Sequence, residues 1–549
     1  MKAYQGLLSK QTSFLPLLKS HLSPSFWQQV LLSLLSGGLM AIPHLNPELY
    51  YFAWVAFVPL LIAIDQSSLK KSYCFGLLFG LAFFASGTYW IVDFIMLSKG
   101  YGRALSMVLA LVFWLYCAQL TAFLMVVFNG IKRRAPVHEF ILFPLVVVTF
   151  FAAFPMLFSV QLGESQSRFL SGIQATEFVG VYGLDAMIAL SNIILFRALF
   201  LRLGASRKRS KWYWLLGVLS MFLWFAYGMF ATWNWEQKVQ DWETIRVGLV
   251  QPNEPPSLDR LPIYPGYSRA YPPEMAMTER LASVGAQLVV WPEARYKAYF
   301  DEPKVSAAYG DAIAALNTNL LFQDIERTRD PYRETIHQQY NTAAMLNNKG
   351  LLVGSYQKMK RVAFGEYVPL VNGIPVLKAL VEGFFGKFLN EMDKGGNRQF
   401  FELDGLNVIP LICYETMFPE FVAESVGDAI SKRHVGGILV GLSSNGWFGT
   451  TVQPYQHVSY SVLRAVENRL PLVHALNNGP SVVALPNGRI IFMSDYHQAG
   501  GYLVDVPYSK ESKGSFFSRH PHLFINTVYG LLALIILVFV TPVRRLLVR

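Results

Sequence analysis

Asn407-Val-Ile-Pro-Leu-Ile-Cys413-Tyr-Glu-Thr-Met-Phe-Pro-Glu420 reads as a short buried strand that ends on a cysteine. A tyrosine and a carboxylate follow the thiol at once. A strand end is a rigid mount for a nucleophile, because the sheet ladder fixes its backbone and its tip opens into loops. Pro410 weighs against the strand, since it brings no ladder donor. A free cysteine is by default a core residue. Company elsewhere in the chain lifts Cys413 above that default: Glu293 after another apolar strand, and Lys358 in a polar turn.

Working outward, residues 242–506 alternate short β-rich runs with helical patterns and turn signals. Strands are expected at 244–250, 287–290, 342–346, 351–356, 406–413, 437–442, 472–475, 481–485 and 501–506. Helices are expected at 273–284, 418–431 and 455–467. Such alternation argues an α/β layered domain of sandwich type. Residues 301–340 carry no clear pattern, and a long loop is expected around 327–332. The insertion at 370–396 holds Leu380, Val381, Phe384, Phe385, Phe388 and Leu389. It reads equally as an apolar loop dipping into lipid or as a helix packed on the domain.

The flanks are of another kind. The 549-residue chain is 53% hydrophobic and only 15% charged, with mean hydropathy +0.33. Apolar stretches recur at 26–43, 49–64, 73–97, 105–128, 140–160, 173–201, 212–233 and 523–541. Most approach the ~20 residues that cross a bilayer core, and helix is the state that satisfies their backbone. Residues 1–240 are therefore expected to form about seven spans, 241–510 an extramembrane domain, and 520–549 a last span with a basic tail. The first 24 residues do not read as a cleavable signal peptide. Lys70-Lys71, Lys132-Arg-Arg134 and the basic run 202–211 follow the second, fourth and sixth stretches. The positive-inside rule then puts both termini in the cytoplasm and residues 241–510 on the outer side. Arg544, Arg545 and Arg549 agree with that parity. Asp93, Gln119, Gln174, Glu177, Asp185 and Asn192 fall within the stretches and read first as structural hydrogen-bonding groups. Gly76, Gly80 and Gly87 read as close helix packing.

The net charge of +11 sits in these loops and forms no nucleic-acid face. No zinc-type Cys/His spacing and no phosphate-cradling glycine loop occurs, so neither metal nor cofactor is expected. Cys74 and Cys117 lie in apolar runs; Cys413 has no disulfide partner in the polar half.

Three residues assemble into an acyl-transfer site. Cys413 is the nucleophile, and a thiol needs a neighbour to become thiolate. Glu293, held stiffly in Val289-Val-Trp-Pro-Glu293, is the base that takes and returns its proton. By default it would be a helix N-terminal acid after Pro292. Lys358 supplies a fixed cation for a developing oxyanion, against the default of a surface lysine. His457 and His474 lie in the domain without a convincing setting beside the thiol.

Four pieces carry a resemblance. They are Val289-Val-Trp-Pro-Glu293; Lys358 followed by Phe364-Gly-Glu366-Tyr-Val-Pro369; Cys413-Tyr-Glu415 with Phe418-Pro-Glu420; and Ser444-Asn-Gly-Trp-Phe-Gly449. The chain closely resembles the carbon-nitrogen hydrolase (nitrilase) superfamily. With spans on both sides, it is similar to that superfamily's apolipoprotein N-acyltransferases. The resemblance implies a nitrilase-like αββα sandwich attached to a multi-pass α-helical membrane bundle. It implies a Glu293–Lys358–Cys413 triad and support from Glu366, Tyr414 and Glu415. Glu366 would support Lys358 and the base, and the Tyr414 backbone N–H would complete the oxyanion hole. It further implies a phospholipid acyl donor, phosphatidylethanolamine foremost, an apolipoprotein acceptor, a cysteine thioester and a bacterial inner-membrane location. A monomer is expected.

The sequence departs from the family near the site. Arg260 stands where a Trp is frequent, Ala294-Arg295 replaces Thr-Ala, and Met359-Lys-Arg-Val-Ala363 replaces Asn-His-Leu-Val-Pro. Ser444-Asn445-Gly446 replaces Asn-Asp-Ala. None falls on the triad. Two other readings stay open: a membrane-tethered nitrilase-type amidase that gives the acyl group to water, and a transporter or scaffold.

Overall fold

A computed structural model of the chain describes residues 24–201, 210–256, 263–294, 296–329, 336–363, 365–367, 376 and 392–540. Arg260, Arg295, Phe364, residues 330–332 of the expected loop and the apolar residues of the 370–396 insertion lie outside the described residues. So do most of the basic run 202–211 and the terminal cations, Lys2, Lys10, Lys19, Arg544, Arg545 and Arg549.

The first half is helical. Its main elements are Phe26–Leu45 (α1), Val58–Ile64 (α2), Leu69–Gly87 (α3), Ile91–Lys99 (α4), Arg103–Lys132 (α5), Glu139–Ala153 (α6), Thr176–Leu201 (α7) and Ser210–Gln240 (α8). A 3-10 stretch, Pro47–Trp54, precedes α2. Five of the segments are long and apolar enough to cross a bilayer, and α3 with α4 makes a sixth if the bent pair counts as one. Large apolar side chains stay exposed along α5 and α8, among them Val112, Trp212, Phe222 and Trp233. Water would not tolerate that surface, whereas lipid would. Gly76 and Gly80 do mark a close helix contact. A Cβ at Gly76 would come within 2.6 Å of the Thr121 carbonyl, and one at Gly80 within 2.7 Å of Ala118 Cα, both on α5. Gly87 has only ordinary contacts, the nearest at 3.8 Å.

Two apolar stretches are broken where one helix was expected. Residues 73–97 bend by 57° between α3 and α4. Residues 140–160 leave the helix at Ala153, just before Pro155, in keeping with the restraint proline puts on the residue before it. A third kink lies in α7 at Gly180, where φ is +63° and a Cβ would meet the Phe517 ring at 2.6 Å. At the α3–α4 bend and the Gly180 kink, freed groups find partners in the second half of the chain. Gln456 donates to the carbonyls of His44 (3.0 Å) and Gly87 (2.9 Å) and accepts from Trp90 Nε1 (2.9 Å). The Val181 N–H donates to Glu467 Oε1 at 2.8 Å. Arg469 donates to Gln174 Oε1 and Glu177 Oε1, each at 2.8 Å. Asp185 accepts from the Gly163 N–H (2.7 Å), Asn192 from the Phe57 N–H (2.7 Å), and Gln119 from Tyr73 (2.6 Å). These span residues are structural, as their first reading held.

The second half is a sandwich. Strands Glu243–Gln251 (β1), Leu288–Val290 (β2), Asn319–Arg329 (β3), Ile336–Leu346 (β4) and Leu352–Gln357 (β5) join Gly500–Tyr508 (β12) in the order β12-β1-β2-β3-β4-β5. Strands Phe401–Leu403 (β6), Leu406–Ile412 (β7), Gly437–Ser443 (β8), Leu472–Leu476 (β9), Val482–Ala484 (β10) and Ile490–Met493 (β11) form the second sheet, in the order β11-β10-β9-β8-β7-β6. Alternation assigns each face. Val247, Leu249, Leu288 and Val290 point between the sheets, against Val408, Val440 and Val473. Val250, Val289 and Trp291 point outward, under helices Pro273–Ser283 (α9) and Pro303–Leu316 (α10). Helices Pro419–Arg433 (α11) and Gln453–Asn468 (α12) cover the other sheet through Val422, Val426, Val458 and Val462. The result is an αββα sandwich, followed by the apolar helix Leu523–Phe539 (α13).

Pro410 does not break β7. It lies beyond the last β6 pair and is matched only with Val440 of β8. The expected loop around 327–332 is corrected at its start: residues 327–329 belong to β3, paired with β4. β3, β6, β11 and α10 have no counterpart in the sequence expectations.

Gln456→Leu removes partners from two buried carbonyls and an indole N–H at the joint between the halves. Leaving such groups unpaired costs about 1–3 kcal/mol each. The variant is expected to unfold several degrees below the parent in the same detergent, read by intrinsic fluorescence. An unchanged midpoint would refute the role of this joint.

Candidate active site

Cys413 stands one residue past β7 and opens the 3-10 turn Cys413–Met417. Its φ is +50°, a left-handed backbone that costs a non-glycine residue roughly 1–3 kcal/mol. The surroundings hold it there. Thr416 Oγ1 donates to the Cys413 carbonyl at 3.2 Å. His457 bridges Thr416 Oγ1 (2.8 Å) and Asn445 Oδ1 (3.0 Å) through its two ring nitrogens. Burial pulls His457 down to about 4, so the imidazole is neutral at ordinary pH.

Glu415 lies beneath the thiol and is fully buried. One carboxylate oxygen accepts from the Ile412 N–H at 2.8 Å. The other accepts from Tyr356 (2.6 Å), the Met359 N–H (2.7 Å) and the Lys360 N–H (3.1 Å). It thus locks the end of β7 to the turn after β5. Tyr414 points away from the thiol. Its hydroxyl donates to the Leu157 carbonyl, and its ring packs edge-on against Phe418 at 4.9 Å.

Lys358 follows β5 and is 2% exposed. Its N–H donates to the Asn341 carbonyl at 2.8 Å. Its Nζ lies 2.9 Å from Glu366 Oε1 and 3.8 Å from Glu293 Oε1. Asn341 Nδ2 donates to Glu293 Oε1 at 2.6 Å and lies 3.3 Å from Glu366 Oε1. Glu366 Oε2 accepts from the Val362 N–H at 2.8 Å. Burial opposes the charge on Lys358, but the Glu366 and Glu293 carboxylates overrule it and hold the ammonium. Burial pushes the Cys413 thiol up; Glu293, which the thiol hydrogen-bonds, pushes the same way, and Lys358 opposes. The resting sulfur is therefore protonated, with its proton directed at Glu293. A carboxylate base, a fixed ammonium and a thiol are the parts needed for covalent acyl chemistry.

The three residues face one cavity of about 270 Å³. The sandwich gives it a polar wall from the β3–β4 hairpin, where Gln323, Ile325 and Arg327 share a face with Gln339 and Asn341. The helical half gives it Phe94, Ser98, Lys99 and Phe158. Phe94 stacks on Phe448 at 5.2 Å, so α4 closes over the Gly446–Phe448 turn. Asn341 has no place in the sequence expectations and lies one residue before the expected strand 342–346. Those expectations give His457 no role and name Asn445 only as a departure from the family.

The charges around the thiol set its alkylation profile. Removing the Glu293 charge lowers the thiol's pKa, and removing the Lys358 charge raises it. In Glu293→Gln, modification of Cys413 by iodoacetamide is therefore expected to begin at lower pH than in the parent, and in Lys358→Met at higher pH. Mass spectrometry of the Cys413 peptide across a pH series reads this, and coincident profiles would contradict the arrangement.

Both halves of the chain have known relatives. A family model described as apolipoprotein N-acyltransferase N-terminal domain matches residues 36–194, and one described as carbon-nitrogen hydrolase matches residues 274–509. An apolipoprotein N-acyltransferase of Geobacter metallireducens is 29% identical over 513 residues, covering 90% of this chain and 92% of its own length. One from Chlorobaculum tepidum is 27% identical and covers 99% of both chains. A solved amidase from Nesterenkonia sp. aligns with 52% of this chain and 96% of its own, at 18% identity and a TM-score of 0.36. The first model falls in the helical half and the second spans most of the sandwich, and over nearly its whole length the chain is similar to apolipoprotein N-acyltransferases.

Proposed function

We propose that this acyltransferase moves a fatty acyl chain from a membrane phospholipid, through a thioester on Cys413, to the α-amine of the diacylglyceryl-cysteine that begins an apolipoprotein. Phosphatidylethanolamine is the expected donor. The observation that carries this reading is the cavity itself. Thiol, carboxylate and ammonium open onto a space whose other wall, Phe94 and Phe158, comes from the lipid-compatible helices.

In the first half-reaction Glu293 takes the Cys413 proton as sulfur attacks the ester carbonyl. The Lys358 ammonium, with the Tyr414 N–H, faces the oxyanion. The carbonyl re-forms, the lysophospholipid alkoxide leaves, and Glu293 returns the proton to it. In the second half-reaction the amine attacks the thioester, an amide forms, and the thiol is regenerated. Glu366 fixes Lys358 throughout, and Glu415 fixes the turns on which Lys358 and Cys413 sit. The topology that fits is about seven spans in residues 1–240, an outer-face catalytic domain over 241–510 and a returning span over 520–549. Both termini are then cytoplasmic, and the catalytic domain of the monomer is on the periplasmic side of the inner membrane.

Incubation of purified protein with phosphatidylethanolamine vesicles is expected to add one acyl mass to Cys413 and release lysophospholipid. Addition of a diacylglyceryl-cysteine peptide is expected to discharge the adduct as an amide. Cys413→Ala, Glu293→Ala and Lys358→Ala are each expected to lower transfer by more than about 10³-fold while the protein stays membrane-inserted. Acyl loss to water at the same rate with and without peptide would favour a tethered amidase instead.

A further inference from the structure

Asn341 combines two features that no role assigned so far explains. Its Nδ2 faces two carboxylates, Glu293 Oε1 at 2.6 Å and Glu366 Oε1 at 3.3 Å. A side-chain amide can meet carboxylates only with its N–H₂ end, so the orientation of the group is fixed. Its Oδ1 is then an acceptor, and it has no partner although the residue is only 5% exposed. Asn341 lines the cavity that holds Cys413. An amide oxygen buried without a donor costs about 1–3 kcal/mol. Gln323 adds a second such oxygen on the same wall. It sits on β3, two residues before Ile325, the residue matched with Asn341, and on the same face. It is 4% exposed, it lines the cavity, and its Oε1 has no partner.

Both unsatisfied atoms call for N–H or O–H donors from a substrate. The ester group of a phospholipid donor has none. Its leaving alkoxide arrives at Glu293 as an acceptor of one proton. A primary amine differs. It gives one hydrogen to the base and still carries another while its nitrogen bonds to carbon.

We propose that Asn341 Oδ1, with Gln323 Oε1 beside it, is the binding site for the attacking amine of the acceptor; this rests on the N-acyl transfer proposed above. The amine nitrogen lies between Glu293 and Asn341. Its lone pair forms the C–N bond to the thioester carbon, and one of its protons passes to the Glu293 carboxylate. The remaining N–H donates to Asn341 Oδ1. Collapse of the tetrahedral adduct breaks the C–S bond, and Glu293 hands its proton to the departing Cys413 sulfur. Amide and free thiol result, with no other reactant. Asn341 therefore favours amines over nucleophiles with a single hydrogen, such as thiols.

That preference separates amine binding from mere support of Glu293. Full-length protein in detergent is acylated on Cys413 with phosphatidylethanolamine and freed of excess lipid. It is then chased with either a diacylglyceryl-cysteine peptide whose only nucleophile is its amine or with a small thiol. Asn341→Ala is expected to lower the ratio of amine to thiol discharge by about tenfold, with a raised KM for the peptide, and Gln323→Leu to lower it by roughly threefold. Gln323 makes no contact with Glu293 or Lys358 among the described hydrogen bonds, so it reports on the wall alone. Equal slowing of both chases in Asn341→Ala overturns the proposal, because a support role predicts it. So does an Asn341→Ala that cannot be acylated together with an unchanged ratio in Gln323→Leu. A parent protein that never acquires the acyl mass refutes the thioester reading itself, a result distinct from either.

Discussion

The Glu415 carboxylate is the constraint on which the site depends. Cys413 belongs to one sheet of the sandwich, and Lys358 and Glu293 belong to the other. Two sheets packed through aliphatic side chains fix their separation well but their relative slide poorly, since apolar contact is non-directional. Four hydrogen bonds to one buried carboxylate remove that freedom at the rim. Burial pushes the Glu415 carboxyl up, while Tyr356, Ile412 and Met359 oppose it as donors. A carboxylate supplies acceptors on both oxygens, which is what four convergent donors need. An amide here would turn a donor toward a donor. The residue sits outside the cavity and still sets the distance across it.

The helical half is joined to the sandwich by polar contacts placed where helices break. At the α3–α4 bend, Gln456 of α12 takes up the groups the bend exposes. At the Gly180 kink, Glu467 of the same helix takes the freed N–H, and next to that helix Arg469 holds Gln174 and Glu177. Breaks in apolar helices are tolerated only where the freed backbone is satisfied. These two breaks therefore orient the sandwich, and the α3–α4 bend also lays Phe94 and Lys99 along the cavity.

This explains what could be seen in the sequence and what could not. Strands β7, β8 and β9 are buried on both faces and announce themselves as continuous apolar runs. Glu293, Lys358 and Cys413 follow strands and sit in distinctive flanks. β3 was hidden because its outer half, Gln323 to Arg329, alternates polar groups that face the cavity rather than an apolar core. Periodicity reports burial against hydrocarbon, and a polar cavity wall has none to report. The bend at residues 88–90 was hidden for a related reason. Its partner, Gln456, lies more than three hundred residues away, so no local signal marks it. Asn341 was missed because its partners meet only in the folded site.

A thiol that rests protonated has a chemical consequence at a membrane surface. A standing thiolate would react with any electrophile that entered, and water could discharge any thioester it made. Here burial and Glu293 keep the proton on sulfur, and Lys358 is already committed to Glu366. In the proposed mechanism sulfur becomes nucleophilic as its proton moves to Glu293, and an oxyanion forming opposite Lys358 favours that transfer. Reactivity is thus coupled to the presence of an acyl group in place. In the proposed reaction the same coupling runs backward in the thioester, where a nucleophile surrenders a proton to Glu293 as it reacts. Under that proposal the carboxylate at position 293 gates both entry and exit of the acyl chain, and the aromatic wall from the helices borders the way to it.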